Sequence, residues 1–277
     1  MSAIDPQNDT APEMDHDGAE TSGSFSGGGK SEFSARNDDT GDRVAGERPG
    51  RQAHETPFST ALAQSERQNA DDAALLFLPT AHGEHIRRLR TELMLRHGFQ
   101  NADSLALAVV SPTAGDGRSL LALELAISFA QLGRRTLLID ADMRTPIERR
   151  IFGHQLHRGL AQTLATGDTP KVSIVKGYPT LSIFGAGDES GFNPTELLAK
   201  KRFQRLIDST RKLFDFIVVD TPPFNAYSDA PLISAVVGRV ITLHRAPINT
   251  YKDTREMLGG LSRSGAEILG AVLNKKI

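Results

Sequence analysis

The sequence predicts an α/β protein built on a doubly wound, mostly parallel sheet with helices on both faces. From Leu105 onward, short runs of buried-type residues alternate with longer segments of helical period. That is the pattern of parallel strands joined by covering helices. Two of the apolar runs close on aspartates, Asp140 and Asp220, and a third closes on a glycine-rich turn. Open parallel sheets bind their ligands at these strand ends.

Taken in chain order, residues 1–55 hold six residues from the set Val, Ile, Leu, Met, Phe, Trp and Tyr, against twelve acidic and five basic ones. So few apolar groups cannot offset an ordering entropy of roughly 1 to 2 kcal/mol per residue, and the segment is expected to be a disordered acidic tail rich in Gly and Ser. Residues 56–103 read as a linker followed by a helix from Glu84 to His97, with Ile86, Leu89 and Leu93 on one side. Residues 104–277 form the sheet domain. Its candidate strands are Leu105 to Val110, Thr136 to Asp140, Leu181 to Phe184, Phe216 to Asp220, Val240 to His244 and Ile268 to Leu273. Between them, Ser119 to Leu132 has apolar residues at helical spacing and stops at Gly133. Pro194 to Phe214 follows an Asn-Pro start signal, and Tyr251 to Leu261 forms a third helix.

Composition narrows the functional classes. A formal net charge of −2 argues against bulk nucleic-acid binding, and zero cysteines remove disulfides, thiol catalysis and thiolate metal sites. Met1 is followed by polar and acidic residues instead of a basic, then apolar, leader. The most apolar stretch, around Leu120 to Leu132, is interrupted by Glu124, Ser128 and Gln131. A cytoplasmic protein that meets a membrane only through a partner is the expectation.

The chemistry gathers in three segments. Ser111 to Ser119, SPTAGDGRS, leaves a strand and opens a helix. In that context Ala114, Gly115, Asp116, Gly117, Arg118, Ser119 and Leu120 are candidates to cradle an anion. Glycines let backbone N–H groups turn inward, the helix N-terminus adds positive potential, and the Ser119 hydroxyl suits a magnesium ion. Asp140 and Asp142 close a strand in LLIDADMRTP, and Asp220 closes another in FDFIVVDTPP. All three carboxylates are expected to face the same crevice as the loop.

In this order the segments resemble the Walker A, Walker A′ and Walker B motifs of the bacterial tyrosine kinases that set polysaccharide chain length, whose fold belongs to the MinD/ParA group of P-loop NTPases. The resemblance spans about Glu84 to Lys275 and extends to NPTELL at Asn193 to Leu198 and to EHIRRLR, where Glu84, Arg87 and Arg90 stand three apart. It implies ATP and Mg2+ as cofactors, with Ser119 and Asp220 at the metal and Asp142 supporting it through water. Arg118 stands at the phosphates, Asp140 is the candidate base, and Asn274 is a candidate contact to adenine. It further implies a homo-oligomer joined through Glu84, Arg87 and Arg90, and a membrane-embedded polysaccharide co-polymerase or chain-length protein as partner. The protein is then expected to lie peripherally at the inner membrane, and no nucleic-acid partner is implied.

Two departures qualify the resemblance, while Thr113 separates the chain from a related branch. Arg118 occupies the place of the phosphate-loop lysine, and its planar guanidinium is harder to seat as a point charge between phosphates. The family commonly carries a tyrosine-rich tail, whereas this sequence stops at Ile277, shortly after the last strand, and the tyrosines are Tyr178, Tyr227 and Tyr251, unclustered. Tyrosine transfer is therefore expected to use another protein or an isolated internal site. Thr113 stands where ParA-type ATPases carry a signature lysine, which disfavours their nucleotide sandwich. A non-catalytic, nucleotide-dependent assembly switch and a MinD/ParA-like positioning ATPase are the alternatives to a kinase.

Overall fold

The computed structural model describes residues 67–68, 81–96, 104–146, 158–175, 177–188 and 191–275. The tail expected over residues 1–55 lies outside these. Along the described chain run β1 (Arg67–Gln68), α1 (Ala81–Arg96), β2 (Leu105–Val110), α2 (Arg118–Ala130), β3 (Thr136–Asp140) and α3 (Leu160–Thr166). They are followed by β4 (Ser173–Val175), β5 (Tyr178–Phe184), α4 (Pro194–Leu198), α5 (Lys201–Leu213) and β6 (Phe216–Asp220). Then come α6 (Asp229–Val237), β7 (Arg239–Arg245), α7 (Tyr251–Ser264) and β8 (Glu267–Asn274).

The strands form one sheet in the order β1-β4-β5-β3-β6-β2-β7-β8. Every pairing is parallel except the β4–β5 hairpin. The chain leaves β2 for β3 on one side and later returns to β7 on the other. The sheet is therefore doubly wound, with its reversal point beside β2, where ligands of such sheets bind.

Side-chain alternation divides the core in two. On β2, Leu105, Leu107 and Val109 belong to the cluster that packs under α2, while Ala106, Ala108 and Val110 belong to the opposite one. The small alanines let α6 approach that face closely, where it meets the buried faces of α3, α4, α5 and α7. On the other face α2 is buried along nearly its whole length. It lies between the sheet and α1, which contributes Ile86 and Leu93. The Phe129 ring of α2 stacks on Phe216 of β6 with centroids 3.9 Å apart.

All six expected strands are present, and the structure adds β1, β4, α3 and α6. The single helix expected over Pro194 to Phe214 is two helices broken at Ala199 and Lys200, where Lys200 is extended (φ −76°, ψ 147°). The reason lies in the spacing. After Leu197 and Leu198 the next inward residue is Phe203, five positions on, whereas a continuous helix would turn Lys201 and Arg202 inward. The break lets both apolar faces reach the same core.

Candidate nucleotide-binding site

The C-terminal ends of β2, β3, β6, β7 and β8 lie side by side, and each delivers part of one site. After β2 the loop turns on Gly115 (φ 79°) and Gly117 (φ 106°), left-handed conformations that favour glycine. Gly117 is the residue before α2 and has no side chain to cap it, which leaves the first N–H groups of that helix directed into the loop. A Cβ at 117 would stand 3.0 Å from the Asn274 side chain, so the glycine also permits the close approach of β8.

Arg118 is buried and folded into the loop. Its Nε donates to the Thr221 carbonyl (2.9 Å), and one terminal nitrogen donates to Ser111 Oγ (2.6 Å) and to the Thr113 carbonyl (2.7 Å). The other terminal nitrogen lies 4.0 Å from Asp142 Oδ2. The planar fork thus joins the start of the phosphate loop, the Walker B end and the Walker A′ carboxylate, a set of contacts that a single ammonium cannot span.

The three aspartates converge as expected. Asp140 and Asp220 are direct cross-strand partners in the parallel β3–β6 ladder, and both are fully buried. Asp140 Oδ1 accepts the Asp142 N–H at 3.1 Å. Asp142 Oδ1 accepts the N–H groups of Arg144 and Thr145, and its Oδ2 accepts the Thr145 hydroxyl at 2.7 Å. Asp220 Oδ1 takes the Thr221 N–H at 2.9 Å, while its Oδ2 is buried and accepts no hydrogen bond. Burial pushes the Asp220 carboxyl up to about 7, with Arg118 and the nearby Ser119 hydroxyl opposing the rise and Asp142 adding to it.

An orphaned, buried carboxylate oxygen beside a serine hydroxyl fits a hard divalent cation. Among the described residues no group of three or more His, Cys, Asp or Glu could hold a metal alone. Magnesium in general keeps waters and borrows phosphate oxygens instead of using an all-protein cage.

Asn274, expected at the base, donates its Nδ2 to the Asp116 carbonyl at 2.9 Å and so braces the loop from β8. The interface set divides. Arg87 pairs with Glu84 at 2.7 Å on the exposed side of α1, while Arg90 turns inward and donates to the Ser128 carbonyl of α2 at 2.6 Å.

Sequence reading passed over Asp229 and Asn249. Asp229, buried at the start of α6, binds Arg144 Nε at 2.8 Å and accepts the Thr195 hydroxyl, while the Arg144 guanidinium lies 4.1 Å above the Tyr227 ring. The NPTELL segment is thereby joined to Walker A′, its Asn193 capping α4 through Thr195 N at 3.1 Å. Only the acidic first turn of α6 hinted at Asp229, and no local signal marked Asn249.

Comparison with known proteins identifies the family. The family model of the ATPase MipZ matches residues 90–253. A putative tyrosine-protein kinase, CapB of Staphylococcus aureus, is 33% identical over 195 residues, covering 69% of this chain and 83% of that protein. The putative tyrosine-protein kinase EpsB of Ralstonia nicotianae is 33% identical over 193 residues, but the match spans only 25% of its length. Among solved structures, the kinase domain of Escherichia coli tyrosine kinase ETK superposes with a TM-score of 0.64 at 29% identity, covering 69% of this chain and 74% of that one. The chimerical protein CapA2B2 gives 0.65 at 26% identity, covering 76% and 92%. The septum site-determining protein MinD of Pyrococcus horikoshii, complexed with Mg-ADP, shares the fold at 21% identity and a TM-score of 0.51, covering 62% and 70%. This chain belongs to the bacterial tyrosine-protein kinases, a family of MinD-like P-loop proteins.

Proposed function

We propose that the chain binds ATP with magnesium through Ser111 to Ser119 and transfers the γ-phosphoryl group to a protein tyrosine, in a system that governs exopolysaccharide chain length or export. The observation that carries this reading is the convergence of Arg118, Ser119, Asp142 and Asp220 on one crevice, with the Asp220 Oδ2 oxygen left unpartnered. In this reading Ser119 and Asp220 hold the magnesium, Asp142 supports it through water, and Gly115 to Ser119 present backbone N–H groups to the phosphates. Bound magnesium supplies positive charge that neutralises the phosphate oxygens. Arg118 holds phosphate oxygens while keeping the loop joined to Thr221. Asp140 takes the proton of the acceptor hydroxyl late in transfer, a modest demand, since phosphoryl transfer rests mostly on positioning and charge.

Acceptor delivery is proposed to come from an assembly: copies of this chain meeting through Glu84 and Arg87 on α1, docked on a membrane-embedded polysaccharide co-polymerase at the cytoplasmic face. No helix among the described residues is long and apolar enough to cross a membrane, so the partner supplies the attachment in this scheme.

A second reading, a nucleotide-dependent assembly switch without transfer, is favoured by the engagement of Arg118 with protein oxygens through both Nε and a terminal nitrogen. One experiment separates the two. Purified protein is incubated with labelled ATP and magnesium, with and without the cytoplasmic segment of the membrane partner, and phosphotyrosine and released phosphate are measured. Phosphotyrosine formation supports the kinase. Nucleotide binding with neither product supports the switch, and no binding under any condition overturns both.

A further inference from the structure

The phosphate loop is shaped from behind by a buried side chain with no part in the chemistry above. Asp116 sits at the middle of the loop, fully buried. Its Oδ2 accepts the Thr113 N–H at 2.8 Å, and both carboxylate oxygens lie 3.0 Å from the Thr113 hydroxyl that donates to them. One further donor comes from far along the chain. Asn249 Nδ2 reaches Asp116 Oδ1 at 3.1 Å and Thr113 Oγ1 at 2.8 Å.

Asn249 is itself held by the end of β7. Its side-chain oxygen accepts the Arg245 N–H, and its own N–H donates to the Arg245 carbonyl at 2.9 Å. The Arg245 guanidinium returns to the Gly115 carbonyl at 3.2 Å. From the other flank, Asn274 holds the Asp116 carbonyl at 2.9 Å. Two charged or titratable groups lie close by: Arg245 at the adjoining Gly115 carbonyl, and His244, whose pKa is lowered by burial against an opposing effect of Asp116.

We propose that Asn249 is a positioning residue for the nucleotide, acting through Asp116 to hold the phosphate loop in its binding curve from the β7–α7 connection. The physical reason is preorganisation. A loop that binds an anion through inward N–H groups gains affinity when its curve is fixed before the ligand arrives, because ordering cost is then absent from binding. Gly115 and Gly117 make this loop pliable, and Thr113 contributes no lysine charge, so its shape depends on the Asp116 carboxylate finding donors. Asn249 supplies the donor that is not part of the loop.

This inference rests on the ATP·Mg2+ reading of the site, and its test separates the two. Affinity for ATP with magnesium is measured by calorimetry on the full chain and on Asn249→Ala, Asn249→Asp and the exchanged pair Asp116→Asn with Asn249→Asp, with thermal unfolding recorded for each. Asn249→Ala is expected to weaken binding at least about fivefold, the factor for loss of about one hydrogen bond. Asn249→Asp sets two carboxylates against each other and is expected to bind more weakly still. The exchange restores one acid and one amide across the same contact and is expected to recover affinity to within about threefold of the native chain. That recovery is one a simple loss of packing does not produce. Native affinity in Asn249→Ala, or an exchanged pair no better than Asn249→Asp alone, overturns the inference while leaving the nucleotide site in place. Failure of the native chain to bind ATP·Mg2+ overturns both. Should Asn249→Asp fail to fold, Asn249→Ala and the exchanged pair still decide the matter.

Discussion

Arg118 Nε donates to the carbonyl of Thr221 at 2.9 Å, so the residue standing in the lysine position of the phosphate loop also bonds the backbone next to the Walker B aspartate. With its bonds to Ser111 Oγ and the Thr113 carbonyl, this makes Arg118 a brace between two strand ends as well as a charge.

Arg118→Lys is therefore expected to lower activity and ATP affinity, because one ammonium on a flexible stem cannot satisfy oxygens on both sides of the crevice. Arg118→Ala, which leaves the same oxygens without a donor, is expected to cost about 1 to 3 kcal/mol of stability in addition. Turnover, affinity and denaturant unfolding of both variants in one buffer provide the check. A gain in phosphate release on Arg118→Lys would show a lysine-type site carrying an impaired residue.

Asp220 leads to a pH prediction. Burial raises its carboxyl to about 7, so in the metal-free protein its contribution to stability is fully present below the unfolded value near 4 and is lost as pH rises through about 7. Asp220→Asn removes the buried charge. The metal-free variant is expected to be more stable than the native chain at pH 8, with the difference shrinking toward pH 5. If Asp220 holds the magnesium as proposed, the same variant is also expected to lose the stabilisation that magnesium and ATP give the native protein. Urea unfolding at the two pH values, with and without ATP·Mg2+, tests both halves. A stability difference independent of pH would remove the buried-charge argument.

The division within the EHIRRLR helix separates folding from assembly. Arg90 is turned onto α2, where burial lowers its pKa and its head reaches the Ser128 carbonyl. Arg90→Ala is expected to destabilise the chain by about 1 to 3 kcal/mol, since a charged hydrogen bond and the covering side-chain stem are both lost. Arg87, paired with Glu84 at the surface, is expected to matter little to stability, within about 0.5 kcal/mol. If α1 joins copies of this chain, Arg87→Ala lowers particle mass in light scattering at unchanged melting temperature. A unit that stays monomeric before and after the change, with nucleotide and partner present, places the contact elsewhere.

What could be read from the sequence follows the range over which each signal acts. The strands at Leu105, Thr136 and Phe216 announce themselves because fully buried parallel strands are continuous apolar runs, and their ends carry Ser111, Asp140 and Asp220 directly into the crevice. Strand β4 was hidden by its shortness, and the first half of β5 by its partial exposure. Helix α6, DAPLISAVV, is too apolar and too short to show a polar face. The contacts that shape the site, Arg144 with Asp229 and Asn249 with Asp116, cross 85 and 133 residues. No local pattern encodes them, because neither member has a periodic or capping context that requires the other.

Helix α7 holds a test of how the Walker B segment is seated. Gly260 is a mid-helix glycine, a position where alanine ordinarily stabilises by about 1 kcal/mol. Here a Cβ would lie 2.5 Å from the Phe224 ring, and Phe224 follows the Asp220-Thr221-Pro222-Pro223 segment, with its N–H bound to the Ser111 carbonyl at 3.0 Å. The ring has little room to retreat, since it is buried in the core cluster that contains Met257 and Leu261 of the same helix. Overpacking of this kind costs about 1 to 3 kcal/mol, so Gly260→Ala is expected to be net destabilising despite the helical gain. It is also expected to weaken ATP·Mg2+ binding, because a shifted Phe224 pulls on the first residue of the phosphate loop. Gly259→Ala is the internal control. Its Cβ meets nothing nearer than an Arg263 nitrogen at 3.5 Å, so the same substitution one residue earlier is expected to stabilise or be neutral. Melting temperature and ATP affinity both fall for Gly260→Ala but not for Gly259→Ala if the Phe224 contact seats the segment, and equal effects at both positions would show that it does not.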